Sequence, residues 1–116
     1  MQRFTEPPFN DLNNLMNREE YLATAKEVIC HQRQTIHGKP ENTFALISDY
    51  WSVFLSQQCG TDICLTPADV AVMMGLFKTA RWQMNPDHAD NMIDNIGYLA
   101  LAGELHSDTA RTGAGS

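Results

Sequence analysis

The sequence predicts an all-α fold, a single helical domain of the four-helix bundle type. Apolar residues recur at i, i+3, i+4 and i+7 in four segments, and this spacing lines one side of a helix. No segment alternates apolar and polar residues as a half-buried strand does. Helix-start and helix-stop residues separate the four segments. A chain of 116 residues has the usual length of one domain.

The first helix is predicted over residues 18–30, after an irregular N-terminal arm at residues 1–17. The arm contains two consecutive prolines and a run of Asn and Asp, which are typical of turns and loops. Asn17 can cap the helix, and Glu20 stands three positions later, where its carboxylate can reach the cap amide. This pair predicts a capping box at the helix start.

The second helix is predicted over residues 42–58, the most aromatic part of the chain. Gly38 and Pro40 interrupt the helical pattern before it, because Gly permits positive φ and Pro disfavours the α conformation of the preceding residue. Gly60 follows the helix, at a position where a left-handed residue commonly ends one.

The third helix, at residues 67–82, has the clearest start. Thr66 is the predicted N-cap, Pro67 takes the first helical position and Asp69 completes an acidic capping box.

The fourth helix is predicted over residues 88–105, with Asp87 as its cap. The small, polar residues 106–116 after it are expected to form a flexible C-terminal tail. The helical domain therefore comprises residues 18–105. Its predicted core residues are Ile47, Trp51, Phe54, Met73, Phe77, Ile93 and Ile96.

The charge of the chain argues against two classes of partner. Its net charge is −6 and its pI is near 5.0, whereas duplex nucleic acids and anionic membranes attract basic surfaces. No apolar run reaches the roughly 18 residues that span a bilayer. The odd number of cysteines is typical of the reducing cytosol. Cys59 and Cys64 have no zinc-ligand spacing, so we expect buried or half-buried thiols.

Two carboxylates on the fourth helix indicate a candidate site. Asp90 and Asp94 stand at i and i+4, where like charges destabilise a helix by roughly 0.2–0.5 kcal/mol. Lys78 and Arg81 end the third helix, only a short loop away. Mg²⁺ commonly takes one or two carboxylates together with substrate phosphates, and Lys and Arg hold phosphates. This grouping predicts a site for Mg²⁺ and a nucleotide.

The complete candidate set is wider than these four side chains. The metal ligands are Asp90, Asp94 and Asp69, although Asp69 is foremost a cap residue. The phosphate-binding or nucleotide-binding residues are Lys78, Arg81, Arg33, Asn91 and Tyr98. A structural interpretation stays open, because acidic residues are favourable near a helix N-terminus and Asp94 could simply pair with Arg81.

Three blocks of the sequence resemble an uncharacterised family of small helical proteins of phages and prophages. The blocks, which lie within residues 18–105, read RQTIHGKPENTFALISDYW, LTPADVAVMMGLFKTAR and HADNMIDNIGYLALAGEL. That family more distantly resembles the MazG-like all-α nucleotide pyrophosphohydrolases, which bind Mg²⁺ through two acidic helix motifs. DNMID, with Asp90 and Asp94, corresponds to the second motif. The first motif, Glu-x-x-Glu, has no clean counterpart.

The resemblance implies a nucleotide-processing enzyme that uses Mg²⁺. A site short of carboxylates would instead bind a nucleotide without hydrolysing it, for example to sequester a signal of host defence. The acidic surface favours a third alternative, an inhibitor that binds a host protein. We predict a nucleotide site in a protein of the bacterial host's cytoplasm, with catalysis left open.

The resemblance also implies a homo-oligomer, because MazG-like bundles complete their sites across subunits. Apolar residues beyond one face of the third and fourth helices agree with this expectation, since a single bundle has difficulty burying both sides. These residues are Val72, Leu76, Leu99 and Leu101.

Overall fold

Four helices and one π-helical turn make up the fold in the computed structural model, which describes residues 16–32 and 40–112. No strand occurs within those two ranges, so the all-α prediction is confirmed. Residues 1–15 of the predicted arm and the segment 33–39, which contains Arg33, lie outside the described residues. The helices are α1 (Arg18–Glu27), continued by a π-helical turn (Val28–Gln32), then α2 (Pro40–Cys59), α3 (Pro67–Met84) and α4 (Ala89–Thr112).

The local signals at the helix starts are confirmed. The Asn17 side chain accepts a hydrogen bond from the Glu20 N–H at 2.9 Å, and the Glu20 carboxylate accepts one from the Asn17 N–H at 3.2 Å. Thr66 and Asp69 make the same reciprocal pair at 3.1 and 2.9 Å. Gly60 has a φ of 67° at the end of α2, the left-handed conformation predicted there.

Helices α3 and α4 form an antiparallel hairpin, and the other two helices pack against it. Helix α2 lies on α3, and α1 lies on α4. At Gly75 an added Cβ would lie 2.9 Å from Oδ1 of Asn95 on α4. At Gly97 it would lie 3.3 Å from Cβ of Ile29 in the π-helical turn. The missing side chains therefore let both α3 and α1 approach α4 closely.

The core consists of two clusters at opposite ends of α4. The first joins α2, α3 and the second half of α4, and its buried members are Phe44, Val70, Ala71, Leu101, Ala102 and Leu105. The second joins α1 to the start of α4, with buried members Ala25, Ala89 and Ile93. None of the helices in the described ranges is long and apolar enough to cross a membrane.

Two aromatic residues of the predicted core lie on the surface instead. The exposed fraction is 62% for Phe54 and 49% for Phe77. The helical pattern identified apolar positions correctly but could not tell which of two apolar faces is covered. Leu101, predicted to lie on an outer face, is buried.

The fourth helix differs from its prediction at both ends. It begins at Ala89, because the His88 N–H donates to the Asn85 carbonyl and closes a turn that contains Asp87. The helix therefore begins one residue later than predicted, two residues after Asp87. At the other end the helix continues to Thr112, so residues 106–112 are helical and not part of a tail. Burial of Leu105 anchors this extension, since propagating a formed helix costs little.

Candidate functional site

The hairpin brings together four of the predicted site residues, two from each helix. Nζ of Lys78 lies 3.0 Å from Oδ2 of Asp94. The Nε–H of Arg81 donates a hydrogen bond to Oδ1 of Asn91 at 3.3 Å. The antiparallel pairing explains both contacts. Lys78 lies about one turn before Arg81 on α3, and its partner Asp94 lies about one turn after Asn91 on α4. We call Lys78, Arg81, Asn91 and Asp94 the polar cluster.

Three of the four members of the polar cluster are largely removed from water. The exposed side-chain fraction is 17% for Lys78 and 10% for Asp94, and Asn91 is 4% exposed. A buried ion pair depends on both partners, since the loss of one leaves an uncompensated charge. Asp94 therefore pairs with a cation of α3, as the structural interpretation expected. The partner shown is Lys78, whereas the sequence suggested Arg81.

An exposed aromatic ring lies beside the cations of this cluster. The ring centre of Phe77 is 5.7 Å from Nζ of Lys78 and 5.6 Å from the guanidinium carbon of Arg81. Both distances are within the range of a cation–π contact. The helical pattern predicted Phe77 as a core residue and did not place it beside these cations. Its spacing of four residues from Arg81 was the available signal, because such residues are neighbours on a helix.

Asp90 lies one turn before Asp94 but in a different environment. Its side chain is 70% exposed, and its Oδ2 lies 3.4 Å from Nε2 of His88. Asp69 is far from both, because it caps α3 at the end remote from the hairpin turn, roughly 14 Å along that helix from Lys78, the partner of Asp94, and farther still from the level of Asp90. In the described residues no three His, Cys, Asp or Glu side chains are grouped to hold a metal ion. The three predicted ligands, Asp69, Asp90 and Asp94, are therefore not grouped as ligands of one Mg²⁺ ion.

Tyr98, a predicted nucleotide-binding residue, packs against the first core cluster and is not part of the polar cluster. Its ring stacks against Phe44, with 6.2 Å between ring centres. Tyr98 and Asp94 both line a cavity where α1 meets α4. The cavity volume is about 10 Å³, room for about one water molecule and far too small for a nucleotide.

Cys59 and Cys64 are free thiols on the surface. The expectation that they are buried or half-buried is therefore wrong. Cys59 is the last residue of α2, and Cys64 follows Ile63, whose N–H donates to the Ser56 hydroxyl and whose carbonyl accepts from it.

Comparison with known proteins identifies the family. Residues 20–106 match the model of a domain of unknown function, DUF6378. The Gene 55 protein of Mycobacterium phage L5 is 38% identical over 80 residues, which cover 69% of this chain and 48% of that protein. The chain thus spans about half the length of the phage protein it matches. No solved structure matches it. The predicted kinship with phage proteins is confirmed: the chain belongs to the DUF6378 family and is related to a phage gene product.

Proposed function

We propose that this phage-related protein binds a nucleotide at the polar cluster, with Arg81 and Lys78 on the phosphates and Phe77 under the base. The observation that carries the proposal is the position of two cations within 6 Å of the ring centre of a half-exposed aromatic residue. A nucleotide joins an aromatic base to a polyanion. The base can stack on the Phe77 ring, and the phosphates can bind the cations of Arg81 and Lys78.

Arg81 is the primary phosphate contact in this proposal. It is exposed, whereas Lys78 is engaged with Asp94 and largely buried. A guanidinium has five N–H donors, and the hydrogen bond to Asn91 uses the one on Nε. Asn91 thereby fixes the plane of the guanidinium, whose terminal nitrogens suit two phosphate oxygens. Lys78 adds a second positive charge close to the Phe77 ring, which attracts the phosphates.

Phe77 supplies the base-binding part. A base stacked on an exposed aromatic ring gains about 1–3 kcal/mol, and this gain does not depend on the identity of the base. The proposal therefore extends to nucleotides as a class. It also predicts that a nucleotide binds more tightly than a polyphosphate without a base.

Mg²⁺ enters this proposal together with the nucleotide. Asp90 is the exposed carboxylate of the predicted pair, and Mg²⁺ commonly combines one or two carboxylates with substrate phosphates. Asp94 already pairs with Lys78 through Oδ2, so it is the less available of the two carboxylates. Because the carboxylates are not gathered into a metal site, we propose binding without hydrolysis. A phage protein with this activity would sequester a nucleotide signal in the infected host.

Calorimetric titration with nucleoside triphosphates, with and without Mg²⁺, tests the proposal. Loss of a charged hydrogen bond costs about 1.5–3 kcal/mol, so Arg81→Gln should weaken binding by about 10-fold to 100-fold. Phe77→Leu should weaken binding of a nucleoside triphosphate but leave binding of inorganic triphosphate unchanged. Arg18→Gln on α1 is the matched control, since it removes an exposed arginine of another helix that is not a member of the polar cluster.

Three results would contradict the proposal. The first is the absence of saturable binding of any nucleotide at millimolar concentration. The second is equal weakening by Arg81→Gln and Arg18→Gln, which would indicate nonspecific attraction. The third is release of pyrophosphate in the Mg²⁺ samples, which would contradict binding without hydrolysis and favour a MazG-like enzyme.

A further inference from the structure

Helix α2 has two apolar sides, of which the hairpin covers only one. On the inner side, Phe44 and Ser48 are buried and Trp51 packs against the first core cluster. On the opposite side four large apolar residues are each more than half exposed. They are Leu46 (53%), Tyr50 (67%), Val53 (65%) and Phe54 (62%), which we call the outer face of α2.

The outer face of α2 is one continuous stripe. Its members follow the spacing i, i+4, i+7 and i+8, which keeps them on one side of a helix over about 12 Å. Between residues 42 and 59 the sequence contains a single charged residue, Asp49. The stripe therefore favours an apolar partner, and Asp49 is the one charged side chain beside it.

We infer that a second copy of this chain covers the outer face of α2 in an antiparallel, two-fold symmetric dimer. A two-fold axis near Tyr50 places Leu46 of one copy against Phe54 of the other, since both are four residues from Tyr50. Leu46 thereby meets Phe54 on each side of the axis, and the two copies of Tyr50 meet at it. A two-fold interface requires this self-complementarity.

The exposed area also suits a dimer. Aromatic side chains present about 150–250 Å² each, so the four exposed residues offer an apolar area on the order of 500 Å² per copy. Two copies would bury on the order of 1,000 Å², the lower limit of specific interfaces. The dimer should therefore be reversible, with a Kd on the order of micromolar.

A rival apolar surface lies on the hairpin, and it is less suited to a partner. Val72 and Leu76 of α3 and Leu99 of α4 are exposed there. The hydrogen bond from Nδ2 of Asn95 to Oγ1 of Thr79, at 2.8 Å, lies beside them on the same hairpin surface. This surface was the interface predicted from the sequence. The outer face of α2 is longer and uninterrupted, so it replaces the hairpin surface in our proposal.

Sedimentation velocity of the full chain across about 1–100 µM tests the inference, a range set by the expected Kd. The parent should shift from the 13.0 kDa monomer towards twice that mass as concentration rises. Val53→Glu should weaken association by at least about 10-fold, because a charge would be buried in the interface. Leu99→Glu, a matched control on the hairpin surface, should leave association unchanged. Circular dichroism checks each fold, and Phe54→Lys is the second variant if Val53→Glu does not fold.

Each alternative result overturns the inference. A parent that stays monomeric at every concentration leaves the outer face to another protein or to another part of this chain. A dimer that Leu99→Glu disrupts and Val53→Glu does not places the interface on the hairpin surface. Dimerisation does not depend on nucleotide binding, so its failure would leave the proposed function unaffected.

Discussion

Asp90 and Asp94 stand one helical turn apart on α4, yet the fold gives them different environments. Asp94 is 10% exposed and forms an ion pair with Lys78 at 3.0 Å. Asp90 is 70% exposed, and its contact is a 3.4 Å approach to His88 in the preceding turn. The difference follows from position along the hairpin. Asp94 faces α3, whereas Asp90 lies at the open end beside the turn.

This difference shows how the repulsion expected between the two carboxylates is relieved. Lys78 compensates the charge of Asp94 inside the hairpin, and water screens the charge of Asp90 outside it. Asp90 also lies in the first turn of α4, where the helix dipole favours a negative charge. No metal ion is required to explain why both carboxylates are tolerated.

Asp94→Asn should lower the free energy of unfolding by about 3–5 kcal/mol, because Lys78 would keep its charge in a largely buried position. Urea denaturation with and without Mg²⁺ measures the effect. Parent stability should not depend on Mg²⁺ in the absence of a nucleotide. If Asp94→Asn stabilises the protein, or if Mg²⁺ alone stabilises the parent, the carboxylate pair is a metal site after all.

Asn91→Ala should lower the free energy of unfolding by about 1–3 kcal/mol, because the side chain is buried and accepts a hydrogen bond from Arg81. Asn95→Ala is the matched control on the same helix, since its amide bonds Thr79 at the exposed surface. It should cost less than Asn91→Ala. Equal losses in thermal and urea unfolding would show that burial does not distinguish the two amides.

The double variant Lys78→Met with Asp94→Leu should stay within about 1 kcal/mol of the parent. Replacing both members of a buried ion pair with apolar residues of similar volume is often neutral or stabilising. The comparison with Asp94→Asn separates the cost of an unpaired charge from the value of the pair. A double variant as unstable as Asp94→Asn would show that the pair itself contributes the stability.

Asp90→Asn should change the free energy of unfolding by less than about 1 kcal/mol, because exposed ion pairs and helix-dipole contacts contribute little. His88→Gln, which removes the other partner of the contact, should have an equally small effect. Urea titrations of both variants beside Asp94→Asn measure the contrast directly. A loss at Asp90 as large as that at Asp94 would remove the distinction between the two ends of the hairpin.

The sequence was sufficient for features whose interacting groups lie within a few residues of each other. The capping boxes at Asn17 and Thr66 and the left-handed Gly60 were all predicted and confirmed. Each depends on bonds or backbone angles inside one turn, so the local sequence contains all the interacting groups. The helix count and the all-α class follow from such signals.

The candidate site was predictable only in part. The sequence grouped Lys78, Arg81 and Asp94, because a short connection between two helices implies an antiparallel pair. It could not assign Phe77 to the site, since an apolar residue on a helix fits a core equally well. Asp69 was grouped with the other carboxylates by residue type alone, and the length of α3 separates them.

The sequence by itself determined the four helices, the caps at Asn17 and Thr66 and the approach of the α3 cations to α4. Only the tertiary structure decided which apolar faces are buried, that Lys78 pairs with Asp94, and that the other described helices leave the outer face of α2 uncovered. The physical reason is the range of the interactions. Caps and helical spacing act over three or four residues, whereas the burial of a face depends on which helix packs there. That choice depends on close approaches such as the one at Gly75, where the side chain of Asn95 fills the space of a missing Cβ.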